Sequence, residues 1–247
     1  MAQNKEQLEK LLQFLDSLMK EPGNEWFVEE LSKKIIKQHP IIESNIDNDS
    51  FNTLLSLQHS KIRRKARAYY KEIKDAKLRN QLVNDHVMMI WYKSIYEVEK
   101  YFVHVNYQIE NMLNYYLAHT DFHSKVQASP RLYNKVISIS TNYKTEIDVY
   151  SYAFNKNNGT PISVEKISSL WAKLLYWAVN SENFDFLTNQ AGNLNAIISI
   201  RNQTNHSYYG RQNNAATYWK DQEDDINYAF IGGIVKHIRN TIKILPY

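Results

Sequence analysis

Three residues near the end of the chain have the types and spacing for chemistry on a phosphodiester. Arg201 and Asn202 are adjacent, and His206 follows the arginine after four intervening residues, in "RNQTNHSYYG". Cleaving RNA without a metal needs a base for the 2′-hydroxyl, an acid for the leaving 5′-oxygen and a cation for the phosphorane. A histidine titrates near neutrality and suits both proton transfers. An arginine presents a fork of donors matched to phosphate oxygens, and the Asn202 amide can donate to a phosphate or orient the imidazole. On a helix Asn202 and His206 share a face, whereas Arg201 and His206 lie about 140° apart at ~100° per residue. They converge if the helix ends between them, for which Asn205 and Gly210 are suitable residues. They also converge if a second copy faces the first across a two-fold axis. The competing reading is an ordinary polar helix end.

Those residues must be held by something. At 247 residues, with 43% hydrophobic and 23% charged residues, the chain can bury a substantial core. Six Gly and five Pro are few for this length and disfavour a turn-rich all-β fold. With no Cys there is no disulfide framework and no thiolate metal site. The N-terminus lacks the basic-then-apolar layout of a signal peptide. No run approaches the ~18 apolar residues of a membrane span. The expectation is a cytoplasmic protein without a membrane contact.

Apolar periodicity predicts an all-α chain. Residues 1–80 form an N-terminal helical extension: helices over 4–20 and 25–38, a linker over 39–50 and a basic helix over 51–80. Trp91, Ile95, Val98, Phe102, Val105, Ile109, Met112 and Tyr116 make a heptad seam, which predicts one long helix over 84–119. Residues 120–162 mix β-branched, aromatic and turn residues and read as an irregular insertion containing a short hairpin or helix. Ser163 is a candidate cap for the next helix. Further helices are expected over 186–202 and 219–244, with Gly232 and Gly233 serving close helix packing.

Other sites are thinner. No phosphate-binding Gly-rich loop and no G-x-S-x-G elbow is present. His119 and His123, with Asp121 between them, have a spacing that could hold a metal, but they sit at a predicted helix end, and no metal site is expected. Charge is unevenly spread. Residues 61–80 hold nine Lys/Arg against Glu72 and Asp75, a local net of +7 that leaves −3 for the rest of a chain of net charge +4. Arg63, Arg64, Lys65 and Arg67 are the candidate RNA contacts in that stripe; a solvated helix face is the alternative.

The Arg201-Asn202…His206 element resembles the signature of the HEPN superfamily (higher eukaryotes and prokaryotes nucleotide-binding), an Arg followed after four to six residues by His. Asn directly after the Arg is common in that family's ribonucleases. The resemblance implies a HEPN-like bundle of four or five helices over 81–247, with the 120–162 insertion atypical. It implies a homodimeric, metal-independent endoribonuclease without a cofactor, acting on RNA in toxin–antitoxin or anti-phage and CRISPR-linked defence, with an antitoxin or defence-complex partner. Arg201, Asn202 and His206 then become the catalytic residues. His206-Ser207-Tyr208 also matches the His-x-Tyr extension of some such toxins, which makes Tyr208 a candidate for modification or substrate contact. Glu110 is a candidate to orient the arginine. The same superfamily includes non-catalytic modules that bind RNA or a partner protein as helical adaptors, and this alternative stays open. A second copy of the spacing, Arg79-Asn80…His86, would share one face of a continuous helix. The 201–206 copy is preferred because it follows a bundle helix late in the chain, as in the family.

Overall fold

The computed structural model describes residues 48–94, 97–206 and 228–245, together with 10, 13–15, 17 and 18. The chain divides into two compact units, Met1–Gln58 and His59–Tyr247. In the first, the described residues before 48 are helical, and the Ser17 hydroxyl donates to the Phe14 carbonyl at 2.7 Å. The predicted helix over 25–38 and most of the predicted linker lie outside the described residues.

The described elements are α1 (Asn48–Tyr69), α2 (Ala76–Ser94), α3 (Val98–Ala118), α4 (Phe122–Ala128), β1 (Asn134–Ser140), β2 (Tyr143–Asp148), α5 (Val149–Ala153), α6 (Leu170–Asn180), α7 (Phe184–Asn189), α8 (Ala191–His206) and α9 (Tyr228–Ile242). Short 3-10 turns lie at Pro130–Tyr133 and Val164–Lys166. The chain is mostly helical, with one small antiparallel sheet in which Val136 faces Glu146 and Ile137 faces Thr145. The hairpin falls inside the predicted insertion. Among the described residues, no helix is long and apolar enough to cross a membrane.

The heptad seam is split between two helices. Val98, Phe102, Val105, Ile109, Met112 and Tyr116 are buried along α3, but Trp91 belongs to α2 and is only partly buried; Ile95 lies outside the described residues. Glu97 is not helical, and its N–H donates to the Tyr92 carbonyl at 2.9 Å, five residues back instead of four. The two helices then run antiparallel, placing Tyr92 on His104, Met89 on Gln108 and Asp85 on Asn111. Likewise the basic helix is not continuous to residue 80. It ends at Tyr69, and after a turn that buries Tyr70 and Ile73, the Asp75 carboxylate accepts the Leu78 N–H at 2.6 Å to cap α2.

Helix α3 is the centre of the bundle. Helices α2, α6, α8 and α9 all pack on it, and 11 of its 21 residues are buried, more than one face can supply. Several of its buried or half-buried polar residues find a partner on a neighbour, although the Asn106 and Asn114 side-chain oxygens have none among the described residues, and Lys100 and Tyr107 are exposed. Tyr70 donates to Gln108 Oε1 at 2.5 Å, and Asn106 Nδ2 donates to the Ile197 carbonyl of α8 at 2.7 Å. Lys173 of α6, whose side chain is 0% exposed, pairs with Glu110 at 2.9 Å.

Two local expectations need correction. Ser163 makes no side-chain cap; α6 starts later, and Ser169 Oγ accepts the Ala172 N–H at 3.2 Å. The apolar run begins only at Leu170, so the later serine is the one adjacent to a buried face. Gly232 and Gly233 do not serve close packing: a Cβ built on either meets nothing within 4 Å, and Gly233 is exposed.

Two stability measurements follow from this packing. Glu110→Ala strands a buried ammonium and is expected to cost about 3 kcal/mol in denaturant unfolding, whereas Glu110→Leu combined with Lys173→Met recovers most of that loss. Gly233→Ala, in an exposed helix interior without steric conflict, is expected to stabilise the protein by up to about 1 kcal/mol.

Candidate functional site

The Arg201-Asn202…His206 element occupies the last turns of α8, and the approach to it is firmly anchored. Ala191, Leu194, Ile197, Ile198 and Ile200 are buried. A Cβ on Gly192 would stand 3.3 Å from the Ile139 carbonyl, so the start of α8 lies close to β1. One turn before Arg201, Asn106 holds the Ile197 carbonyl from α3. Beyond Ile200 the environment changes, and Asn202 is exposed.

The helix does not stop between Arg201 and His206. Residues 201–206 are all helical, including Asn205, which was expected to favour an end; Tyr208 and Gly210 lie outside the described residues. A continuous helix keeps Arg201 and His206 about 140° apart around its axis. Asn202 and His206 stay on one face.

The second copy of the spacing has a different environment. Arg79 Nη1 donates to the Ile73 carbonyl at 2.7 Å, tying down the turn between α1 and α2. His86 packs against Tyr69 and Tyr70, with ring centroids 5.3 and 5.7 Å away, and its buried Nδ1 has no hydrogen-bond partner. The Arg239 guanidinium lies 3.8 Å from the centroid of the Tyr69 ring and donates to the Tyr69 carbonyl at 2.7 Å. Burial lowers the His86 pKa below the usual histidine value; the Gln108 side chain acts against this, and the Arg239 charge adds to it. Arg79 and His86 thus serve the docking of α1 on α2 and α9.

The other candidates are also engaged. His119 Nδ1 is 2.8 Å from the Tyr115 carbonyl, and its ring stacks on Tyr115. His123 Nε2 is 2.7 Å from the Ile162 carbonyl. Among the described residues, no cluster of three or more His, Asp or Glu could hold a metal ion. Glu110 is spoken for by Lys173. In the basic stripe, Arg63 donates to Asn84 Oδ1 at 3.0 Å, while Arg64, Lys65 and Arg67 are exposed. Sequence reasoning missed Asn106 and Arg239. The only signal for Asn106 was an amide four residues after Phe102, on the seam side of the helix, where an apolar residue would continue the stripe. Arg239 carries no such mark.

Comparison with known proteins adds no relative: no family model, curated protein or solved structure matches this chain.

His86 makes a pH prediction. Its pKa is lowered in the fold from an unfolded value of about 6.5, so its neutral form favours the native state. Stability from this group is complete above the unfolded pKa and is lost as pH falls through and below it. The thermal midpoint should therefore drop on moving from neutral to mildly acidic pH, and His86→Gln should make that drop smaller. An equal drop in both proteins contradicts the assignment.

Proposed function

We propose that this chain is a metal-independent endoribonuclease of HEPN type whose catalytic residues are Arg201, Asn202 and His206. The observation that supports the reading best is the course of α8. Its first half is fixed in the core, and its last turns carry the three residues, of which Asn202 is exposed. A rigid element that delivers polar groups to solvent is the support a phosphodiester site needs. The second copy of the motif, by contrast, is used up in packing.

The continuity of α8 favours a composite site. One helix separates Arg201 from His206, so two copies of the chain facing each other across a two-fold axis bring two arginines and two histidines into one cleft. One His206 accepts the proton of the 2′-hydroxyl as the 2′-oxygen bonds to phosphorus. The second copy's His206 gives its proton to the departing 5′-oxygen. The products are a 2′,3′-cyclic phosphate and a 5′-hydroxyl. Arg201 stabilises the charge gathered on the phosphorane, and Asn202, on the histidine's face, orients the imidazole or a phosphate oxygen. By family resemblance the setting is toxin–antitoxin or anti-phage defence, with a neutralising or activating partner, and Tyr208 is a further substrate or modification contact.

The test is cleavage of labelled RNA in EDTA. His206→Ala and Arg201→Ala are each expected to lose about 100-fold or more in rate while keeping the wild-type thermal midpoint. In mixtures of wild-type and His206→Ala chains, allowed to exchange, activity should follow the square of the wild-type fraction. Full activity in His206→Ala rejects the site; a linear dependence rejects its composite form. Absence of cleavage in every protein leaves a binding module in place of an enzyme.

A further inference from the structure

The basic segment is more than a run of like charges in sequence, because the fold disposes of the acids that would neutralise it. Glu72 pairs with Lys243, which helps hold its carboxyl below the usual range, and the Asp75 carboxylate caps α2. Two of the arginines are also taken, Arg63 by Asn84 and Arg79 by the Ile73 carbonyl. What remains, apart from the half-buried Lys61, is Arg64, Lys65, Arg67, Lys71, Lys74 and Lys77. All six are exposed, and none has a hydrogen bond or ion pair among the described residues.

Their arrangement is directional. Ala66 and Tyr70 mark the buried side of α1. At ~100° per residue, Arg64 lies on the opposite side, Arg67 flanks it about 100° from Ala66, and Lys71 continues the row just past the helix end. Lys74 follows in the turn. Lys77 sits in the first turn of α2, which has no acidic residue and where a cation opposes the helix dipole. Uncompensated cations in this arrangement repel one another and destabilise the fold; an ordinary solvated helix face intersperses acids among them.

We propose that this face, Arg64–Arg67–Lys71–Lys74–Lys77, binds the phosphate backbone of a nucleic-acid strand without reading its bases. Base-independence follows from the aromatic residues. Tyr70 is fully buried with its hydroxyl on Gln108, and Tyr69 is packed against His86 and Arg239, so neither ring of this segment is offered for stacking. A lipid surface fits less well. A membrane-lying basic helix pairs its cations with apolar groups that enter the bilayer, and no large hydrophobic residue from 59 to 80 is exposed. Beside the basic row, Ala66 and Tyr70 are already in the protein's own core.

The face is independent of Arg201 and His206, and its test uses single-stranded DNA, which lacks the 2′-hydroxyl and cannot be cut by the proposed chemistry. Anisotropy of labelled oligothymidylate and oligodeoxyadenylate is followed over a salt titration with full-length protein. Similar affinity for both sequences is expected. The triple variant Arg64→Ala, Arg67→Ala, Lys71→Ala should bind at least about tenfold more weakly. Its log–log salt slope should be smaller by about two, at roughly 0.7 per lost phosphate contact. Lys144→Ala with Lys166→Ala, which removes exposed cations from other elements, should leave the slope unchanged. An unchanged slope in the triple variant, no DNA binding by the wild type, or binding to phosphatidylserine vesicles in place of DNA overturns the proposal. A strong preference for one base overturns its base-independence. A thermal midpoint equal to or above that of the wild type confirms that the triple variant is folded, as expected for side chains that bond to nothing and repel one another.

Discussion

The enclosure of α3 sets the conditions for everything around it. A helix with neighbours on most sides cannot turn its polar residues to solvent, and a buried polar group without a partner costs about 1–3 kcal/mol. Most such groups on α3 are joined to a neighbouring part of the chain, although the Asn106 and Asn114 side-chain oxygens have no partner among the described residues. His104 and Asn111 reach Asp85 on α2, Gln108 takes the Tyr70 hydroxyl just after α1, Glu110 pairs with Lys173 on α6, and Asn106 holds the backbone of α8. Apolar contacts alone would tolerate sliding of one helix along another. These bonds fix the register of each neighbour, and the one to Ile197 sets the position of the turn that leads into Arg201 and His206.

The same economy governs the charged groups. Glu72, Asp75 and Arg79 lie in or beside the turn between α1 and α2, Arg63 bridges the two helices away from it, and all have structural partners. That turn would otherwise be held together chiefly by Tyr70 and Ile73. Closing it with the local acids leaves the outward cations without counter-charges. A structural need at the turn and a positive outer face are thus two consequences of one distribution of side chains.

How much of this was legible in the sequence depended on whether the signal was local. The buried positions of α3 followed from their spacing alone, since Val98, Phe102, Val105, Ile109, Met112 and Tyr116 could be nothing but a seam. The breaks before Glu97 and after Tyr69 were not legible. Neither contains Pro or Gly, and the first preserves the heptad spacing across it, so periodicity continues where the chain does not. The hairpin at 134–148 was one of two options for a segment rich in β-branched residues, and pairing chose between them. For the candidate site, residue types and spacing could nominate two copies of one motif but could not separate them. The structure describes the environment of one of them: His86 lies against Tyr69 and Tyr70, brought there by a turn that the sequence did not reveal, while of the other copy the surface position of Asn202 is described.

The central claim is that the end of α8 supports attack by a 2′-hydroxyl on its own phosphodiester. The most direct measurement is the chemistry of the cut ends, using matched RNA substrates with and without a single 2′-deoxy substitution at the scissile nucleotide, in the absence of divalent metal. The account predicts a 2′,3′-cyclic phosphate and a 5′-hydroxyl from the unmodified strand and no cut at the deoxy position. A 5′-phosphate end, or cleavage that proceeds through the deoxy nucleotide, would contradict it.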